Sequence, residues 1–337
     1  MNCDGFISSS HSDSHDHTQP MAHHGVPRIH AAMQHNALNG EVRWAPVRSL
    51  WWFAMTSLAL IAGPATFSWQ TVIVFFITSG ITLCLGHSLG MHRRLIHQAY
   101  QCPLWLEYFF VWCGTLVGMA GPIGMARTHD LRDWAQRQTA CHDYFAHRQS
   151  FWRDAWWQLH CEIALDNGPR FVPEPRLTQS RFYRWVEATW MWQQAILAAL
   201  LYAWGGWDFV VWGVCVRVVV SLTGHWLIGH FAHRSGGMRY HVDGAGVQGY
   251  NVALPKPLTW LTGLLTMGEA WHNNHHAFPG SAKLGVHAGQ LDPGWWMLQL
   301  LIKLHLAWDI HQPADLPLRL AVHELKPQQK SGAFHGA

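Results

Sequence analysis

The stretch around residue 272 is rich in side chains that bind metals. His272, His275 and His276 stand at positions i, i+3 and i+4, which lie on one face of a helix and one turn apart. Neutral imidazole is a strong ligand for iron, zinc and copper. The three side chains could bind one metal ion or be divided between two adjacent ions. The alternative interpretation is a polar helix end that is merely rich in histidine.

Two further groups occur earlier in the chain. His92 and His97 are five residues apart, which is roughly 140° around a regular helix, so they cannot both point at one ion from a straight helix. Either the helix ends between them or each histidine serves a different metal. His129 and Asp133 are four residues apart and share one helix face.

A fourth group, His230 and His233, brings the candidate ligands well above the four that a structural zinc ion needs. A surplus of imidazole and carboxylate without cysteine ligands suits a pair of irons that activate oxygen. The chain has no HExxH sequence, which disfavours a zinc protease. A b-type haem needs only two axial histidines and would leave the other groups unexplained.

The composition indicates a membrane protein. The 337 residues are 49% hydrophobic and only 13% charged, and they include 22 Trp, a residue that gathers at the membrane–water interface. The net charge of +3 is too small to indicate a nucleic-acid partner, and none is expected. The 26 histidines outnumber the 23 Lys and Arg, which favours metal chemistry. The seven cysteines contain no CxxC pair and are expected to be buried free thiols.

Apolar runs predict the elements that hold these groups. Four runs come close to the roughly 20 residues that a membrane span needs. They form two pairs with short uncharged links: residues 50–67 with 69–89, and residues 187–204 with 207–228. Residues 103–126 could form another span or an interfacial helix. The predicted fold class is therefore an all-α integral membrane protein, with four transmembrane helices in two hairpins and a helical cap that carries the histidines.

Charge predicts the orientation. Lys and Arg are absent from both hairpin links, and the positive-inside rule places the termini and the histidine-bearing cap in the cytoplasm. Residues 1–40 are polar and His-rich and are predicted to be a disordered tail. Residues 41–312 form the predicted membrane domain, and residues 313–337 a C-terminal tail. Arg217 lies inside the last span and should face protein, because a charge there costs about 2.5–3.5 kcal/mol on insertion scales.

Three motifs resemble those of a known family. The sequence G-x-H-R-x-x-x-H, beginning at Gly90, is similar to the first histidine box of membrane fatty-acid desaturases of the stearoyl-CoA desaturase kind. The sequence G-E-x-x-H-N-x-H-H-x-F-P, beginning at Gly268, is similar to their third box. Residues 229–233 resemble the region of the additional histidine that this family carries after its fourth span. The order of spans and boxes also matches, over roughly residues 45–310.

The resemblance implies a four-span membrane domain with a cytosolic cap and two non-haem irons. It implies O2-dependent removal of two hydrogens from adjacent methylenes of a fatty acyl chain, with two electrons from outside. It places Glu269 and Asn273 beside the site, where they would support the ligands. By position, the implied iron ligands are His92, His97, His129, His233, His272, His275 and His276.

The second box departs from the family pattern HxxHH, because His129 is followed by Arg132 and Asp133. Asp133 can replace one histidine as a carboxylate ligand, whereas Arg132 is always protonated and cannot bind iron. The alternative is that Arg132 and Asp133 pair with each other or cap a helix. One ligand is then missing or comes from elsewhere. The candidates for it are His87, His142, His147, His225 and His230.

The implied partners follow from what the chain does not contain. No cytochrome b5-like segment and no cysteine cluster for iron–sulfur is visible, so a separate electron donor of the ferredoxin or cytochrome b5 type is implied. The acyl substrate could be carried by CoA, by a carrier protein or by a lipid. A fatty acyl or lipid hydroxylase would use the same site. A non-enzymatic membrane metal- or haem-binding protein is the remaining alternative.

Overall fold

The computed structural model describes residues 28–316 and 321–325, and it is mostly helical, as predicted. The helices are α1 (Pro46–Ala62), α2 (Trp69–Gly80), α3 (Leu104–Thr115), α4 (Pro122–Arg137), α5 (Asp143–Ala146), α6 (Phe151–His160), α7 (Pro175–Thr178), α8 (Arg181–Ala188), α9 (Gln193–Val210), α10 (Arg217–Ala232), α11 (Thr259–Leu265), α12 (His272–Ala277) and α13 (Pro293–Lys303). Two π-helical segments, Ile81–Ile96 and Val211–Val216, continue α2 and precede α10.

Within the residues that the structure describes, three two-stranded antiparallel sheets join distant parts of the chain. They pair β1 with β4, β2 with β3, and β5 with β6. Their strands are β1 (Ile29–His30), β2 (Gly40–Trp44), β3 (Cys161–Leu165), β4 (Arg170–Phe171), β5 (Tyr240–Val242) and β6 (Val322–Glu324).

The helix that carries the first histidine box is long and apolar. α2 and the π-helical segment after it form one helix of 28 residues, Trp69–Ile96, with the length and hydropathy of a membrane span. Ser68 caps its beginning, because its hydroxyl accepts a hydrogen bond from the backbone N–H of Thr71 at 3.2 Å. Within the described residues, the second apolar helical stretch that meets the same criteria is Gln193–Ala232.

The second stretch contains a reversal of the chain. Gly205 and Gly206 have non-helical backbone angles, and Gly206 has a φ of 71°, which favours glycine. On a straight helix Leu201 and Gly213 would be about 18 Å apart. A Cβ added at Gly213 would instead lie 2.5 Å from Cδ1 of Leu201. The two arms therefore fold back on one another at the predicted Gly-Gly link.

Other predicted elements have shifted limits. The first predicted span, residues 50–67, becomes α1, which begins four residues earlier and has 17 residues. Residues 103–126 do not form one helix, because α3 ends at Thr115 and a separate helix, α4, starts at Pro122. The prediction for Arg217 is confirmed: its side chain is fully buried and donates to the backbone oxygens of Leu116 and Gly213.

Both predicted tails are shorter in the structure than in the sequence-based prediction. Residues 28–40 are not a free tail, because β1 pairs with β4 and the side chain of Arg28 is buried against two carboxylates. Near the other end, β6 pairs with β5 within the predicted C-terminal tail. The remaining residues of both predicted tails, 1–27, 317–320 and 326–337, lie outside the described residues.

Glycine allows close packing beside the first histidine box. A Cβ at Gly86 would lie 2.3 Å from the backbone nitrogen of Gly114, and one at Gly90 would lie 2.5 Å from the carbonyl of Phe110. Both glycines are on the π-helical segment, and both partners are on α3. The absence of side chains at these two positions therefore lets α3 pack directly on the backbone that positions His92.

Candidate metal centre

Four histidines from three predicted motifs meet in one buried cluster. One nitrogen of each of the four side chains lies within 4.8 Å of the others. His97 and His129 face each other with their Nε2 atoms 3.3 Å apart. We call this group cluster A, and its members are His92, His97, His129 and His275.

The spacing of His92 and His97 is explained by the backbone between them. The segment is π-helical, and the backbone N–H of His97 donates to the carbonyl of His92 at 3.0 Å, an i+5 to i bond. The helix ends at Ile96, before His97. The first of the two predicted alternatives is confirmed, since the helix ends between the histidines and both belong to cluster A.

Three other histidines form a second cluster beside the first. We call it cluster B, and its members are His233, His272 and His276. The Nε2 of His272 lies 3.0 Å from that of His233 and 2.9 Å from that of His276. The ring centroids of His272 and His275 are 5.8 Å apart, so clusters A and B are neighbours. The i, i+3, i+4 pattern therefore divides between two sites, because His275 belongs to A and the other two to B.

The donor set of both clusters suits metal ions. Three Nε2 atoms converge in cluster B. Each neutral ring carries one N–H group and one lone pair, so the three converging nitrogens cannot all be paired in hydrogen bonds with one another. Burial and the neighbouring imidazoles hold the pKa values of His272 and His275 well below the usual range. Neutral imidazole is the form that binds a metal. The residues present thus fit two adjacent metal ions, one in each cluster.

Glu269 supports cluster A from outside. Its Oε2 atom lies 2.7 Å from Nδ1 of His92, and its Oε1 atom accepts a hydrogen bond from the hydroxyl of Ser88 at 2.6 Å. A carboxylate on one ring nitrogen leaves the other nitrogen as the lone pair for a metal. Burial alone raises the pKa of Glu269, but the adjacent His92 and Arg93 hold it below the usual range.

Asn273 holds the third box in place through backbone groups. Its side-chain oxygen accepts from the N–H groups of Arg239 and Tyr240, and its side-chain nitrogen donates to the carbonyls of Tyr240 and Gly249. These bonds tie α12 to β5. The side chain of Asn273 is therefore a support for the ligands of cluster B.

Arg132 and Asp133 have different partners in the structure. Asp133 accepts a hydrogen bond from Arg137 at 3.1 Å, and Arg132 donates to the side chain of Gln158 at 2.8 Å. Asp133 is not among the grouped ligand atoms of cluster B. Burial alone raises the pKa of its carboxyl, but the nearby His129 and Arg137 hold it below the usual range. Cluster B is left with three imidazoles against four in cluster A.

A third buried group lies beside cluster B. Oδ2 of Asp154 lies 3.0 Å from Nδ1 of His147 and 2.7 Å from Nδ1 of His230, and it accepts a hydrogen bond from the indole of Trp226 at 2.8 Å. His147 and His230 were two of the sequence candidates for the missing ligand. Asp154 was missed, because a single aspartate within a Trp-rich helix carries no spacing signal.

Arg28 is a further residue that sequence reasoning missed. Its guanidinium donates to the carbonyls of Leu95 and Ile96, which directly precede His97, and to Asp130 at 2.7 Å. Asp130 lies 3.3 Å from Nδ1 of His129. One buried side chain therefore connects the first and second boxes. In the sequence, the only indication of this role was that one arginine stands at the edge of a polar, His-rich stretch.

The remaining candidates, His87, His142 and His225, belong to neither cluster. The rings of His87 and His225 are 5.1 Å apart, and that of His87 is 6.4 Å from His92. His142 caps α5 by accepting from the N–H of Tyr144.

The six cysteines in the described residues are free, as predicted; five are buried and Cys84 is partly buried.

Comparison with known proteins agrees with this geometry. The fatty acid desaturase family model matches residues 67–312. The sn-1 stearoyl-lipid 9-desaturase of Anabaena variabilis is 34% identical over 271 residues, which are 80% of this chain and 94% of that protein. The acyl-CoA C20 Delta5-desaturase of Anemone leveillei is 31% identical over 258 residues, 76% of this chain and 78% of that protein.

The name of a third relative specifies a different substrate. The palmitoyl-monogalactosyldiacylglycerol delta-7 desaturase of Arabidopsis thaliana is 33% identical over 268 residues, which are 78% of this chain and 67% of that protein. The match to the family spans most of the chain and contains all the histidines of clusters A and B. The chain therefore belongs to the fatty acid desaturase family and is an oxidoreductase of that family.

Proposed function

We propose that clusters A and B each bind one non-haem iron and that the pair carries out O2-dependent desaturation of a fatty acyl chain. The balanced reaction takes one hydrogen from each of two neighbouring methylenes and, with two external electrons and two protons, reduces O2 to two molecules of water. The observation that carries the proposal is the convergence of seven imidazoles from four separate motifs into two neighbouring clusters. Iron is favoured because the donors of both clusters are imidazoles without thiolates.

The irons, when bound, supply the oxidation of unactivated C–H bonds with O2. The protein's part is to hold the ligands and exclude water. Glu269 fixes the ring of His92, and the backbone carbonyl of Gly229 fixes that of His233, 2.8 Å from its Nδ1. His92, His233 and His275 are each less than 9% exposed, and His129, His272 and His276 are partly buried, so the site is largely removed from bulk water.

We further propose a four-span topology in which α1, the helix Trp69–Ile96, and the two arms that meet at Gly205–Gly206 cross the membrane. Trp69, Trp204 and Trp207 support it, because all three are exposed and stand at the link of each hairpin, where indoles favour the membrane interface. The 17 residues of α1 are at the lower limit for a span. The cap then lies on the cytoplasmic side with residues 41–312 as one domain.

The substrate is proposed to be a fatty acyl group on a lipid or on CoA, since the names of the relatives specify both kinds. Two electrons for each double bond must come from outside the described residues. We propose a separate donor of the ferredoxin or cytochrome b5 type.

The test is gas chromatography–mass spectrometry of total fatty acids from a host without desaturases, with the chain and a ferredoxin and its reductase co-expressed. We expect a new double bond that disappears in His275→Ala. A hydroxylated chain would select the hydroxylase alternative. Unchanged fatty acids, with the protein present in the membrane fraction and loaded with iron, would contradict the proposed activity.

A further inference from the structure

Cluster B lacks a ligand that cluster A has. It contains three histidines, and the position at which the family pattern HxxHH supplies another imidazole holds Arg132. The guanidinium of Arg132 is turned to Gln158, and the carboxylate of Asp133 is engaged by Arg137. A replacement ligand must therefore be a buried imidazole next to cluster B that has a free nitrogen.

His147 has these properties. Its side chain is 1% exposed, and its Nε2 atom has no hydrogen-bond partner. Its Nδ1 atom lies 3.0 Å from Oδ2 of the fully buried Asp154. A carboxylate at Nδ1 selects the tautomer in which Nε2 carries the lone pair, which is the arrangement of carboxylate–histidine–metal sites. An imidazole oriented in this way and left unpartnered in a buried place points to a ligand.

The ring of His147 lies next to one member of cluster B, His233, and is grouped with Asp154 and His230. Its centroid is 5.3 Å from that of His233 and the two rings are nearly parallel. Centroid distances between neighbouring histidines within clusters A and B run from 4.5 to 6.1 Å. Nε2 of His147 would be 3.4 Å from a Cβ added at Gly229, one helical turn before His233. Nη1 of Arg132 would lie 3.9 Å from the same Cβ. The free nitrogen of His147 therefore faces the side of α10 that carries a ligand of cluster B, beside the residue that stands where the family has an imidazole.

The backbone at His147 brings its side chain to Asp154. His147 has a φ of 51° and ψ of 33°, a left-handed conformation that is uncommon for residues other than glycine. A left-handed residue is a common end of a helix, and His147 ends α5 in this way. Its Nδ1 lies within hydrogen-bond distance of Asp154 on α6.

We propose that Nε2 of His147, oriented by Asp154, is a ligand of the metal in cluster B and replaces the imidazole that is missing at Arg132. The inference rests on the proposed two-iron centre. It makes His147 a metal ligand and Asp154 a positioning residue. In this arrangement cluster B has four imidazoles, as cluster A does.

The test measures iron rather than activity. The full chain is purified in detergent and loaded with ferrous iron; iron per chain is measured by atomic emission, and the affinity of each iron by competition with a ferrous chelator. We expect two irons in the wild type and one tightly held iron in His147→Gln, with the other weakened at least tenfold. His142→Asn, which keeps a capping side chain in the same segment, should hold two irons.

Three results would overturn the inference. If His147→Gln keeps both irons at wild-type affinity, His147 is not a ligand. If it loses both irons together, its role is structural. If the wild type holds fewer than two irons, the two-iron centre itself fails, which is a separate outcome. As a rescue, adding Arg132→His to His147→Gln should restore the second iron, because it returns an imidazole to the second box.

Discussion

The carboxylate of Glu269 lies 2.7 Å from the imidazole of His92, a residue of another histidine box and 177 positions earlier in the sequence. We predict that Glu269→Gln weakens iron binding in cluster A by about 10–100-fold, because it removes the group that orients His92. Chelator competition on the purified protein measures the change. Glu41→Gln, at a carboxylate exposed on the surface, is the control and should bind iron as the wild type does. Equal affinity in both variants would contradict the role of Glu269.

Arg28 should affect the metal centre although it lies in a stretch that resembles a tail. Arg28→Met removes the bonds to the carbonyls of Leu95 and Ile96 and leaves Asp130 without its cation. Removing one partner of a buried ion pair costs about 3–5 kcal/mol. We expect a lower unfolding temperature and weaker iron binding in cluster A, measured by thermal unfolding in detergent and by iron content.

The control for Arg28→Met is Arg43→Met, which removes an exposed ion pair with Glu41. Exposed pairs contribute about 0–1 kcal/mol, so this variant should unfold close to the wild-type temperature. Similar behaviour of the two variants would show that Arg28 does not hold the two boxes together.

Packing of α3 on the first box predicts a sharp difference between glycines. Gly90→Ala would place a Cβ 2.5 Å from the backbone of Phe110, so α3 and the π-helical segment must separate. Overpacking typically costs about 1–3 kcal/mol. We expect Gly90→Ala to lower the unfolding temperature and the iron content together, because His92 lies two residues further on.

Gly80→Ala is the matched control on the same helix. Gly80 has a φ of −58°, and a Cβ there would meet no atom within 4 Å. Alanine is favoured over glycine in a helix by about 1 kcal/mol. This variant should therefore be at least as stable as the wild type, and a loss of iron from it would point to a defect that close packing does not explain.

His160 should make the cap sensitive to acid. Burial, with the positive charge of Arg48 nearby, lowers the pKa of this imidazole, whose Nδ1 lies 2.9 Å from the hydroxyl of Ser49. Because the pKa of His160 is lower in the folded protein than in the unfolded chain, the unfolded chain takes up the proton at a higher pH. The contribution to stability is present above about pH 6.5 and is lost as the pH falls below that value.

The measurement is the free energy of unfolding of the metal-free protein at pH values from about 7.5 down to about 5.5. The wild type should lose more stability over this range than His160→Gln. His30→Gln, at an exposed histidine, should follow the wild type. Parallel curves for wild type and His160→Gln would refute the assignment.

Much of the architecture could be predicted from the sequence because it depends on periodicity and composition. The long apolar runs correspond to helices, and the Gly-Gly link is a reversal of the chain. The spacing of His92 and His97 correctly indicated that a regular helix cannot present both to one ion. The division of the third box between two clusters agrees with one of the two stated possibilities.

The remainder depends on contacts between distant segments, which have no local signature. Arg28 reaches residues near 95 and 130, and Asp154 organises two histidines that are 83 residues apart. The polarity of residues 28–40 suggested disorder, but two short strand pairings and one buried cation hold that segment. Such pairings become visible only when the chain is folded.

The unbroken helix from Trp69 to Ile96 links the apolar end of the molecule to its histidines. No hinge separates Ser68, at its first turn, from His92, near its last. In the proposed topology, the depth of cluster A in the membrane is therefore fixed by the length of this helix. An acyl chain whose polar head is held at the bilayer surface would then meet the proposed metals at a fixed distance from that head, so the number of residues in this helix bears on which carbon atoms are oxidised.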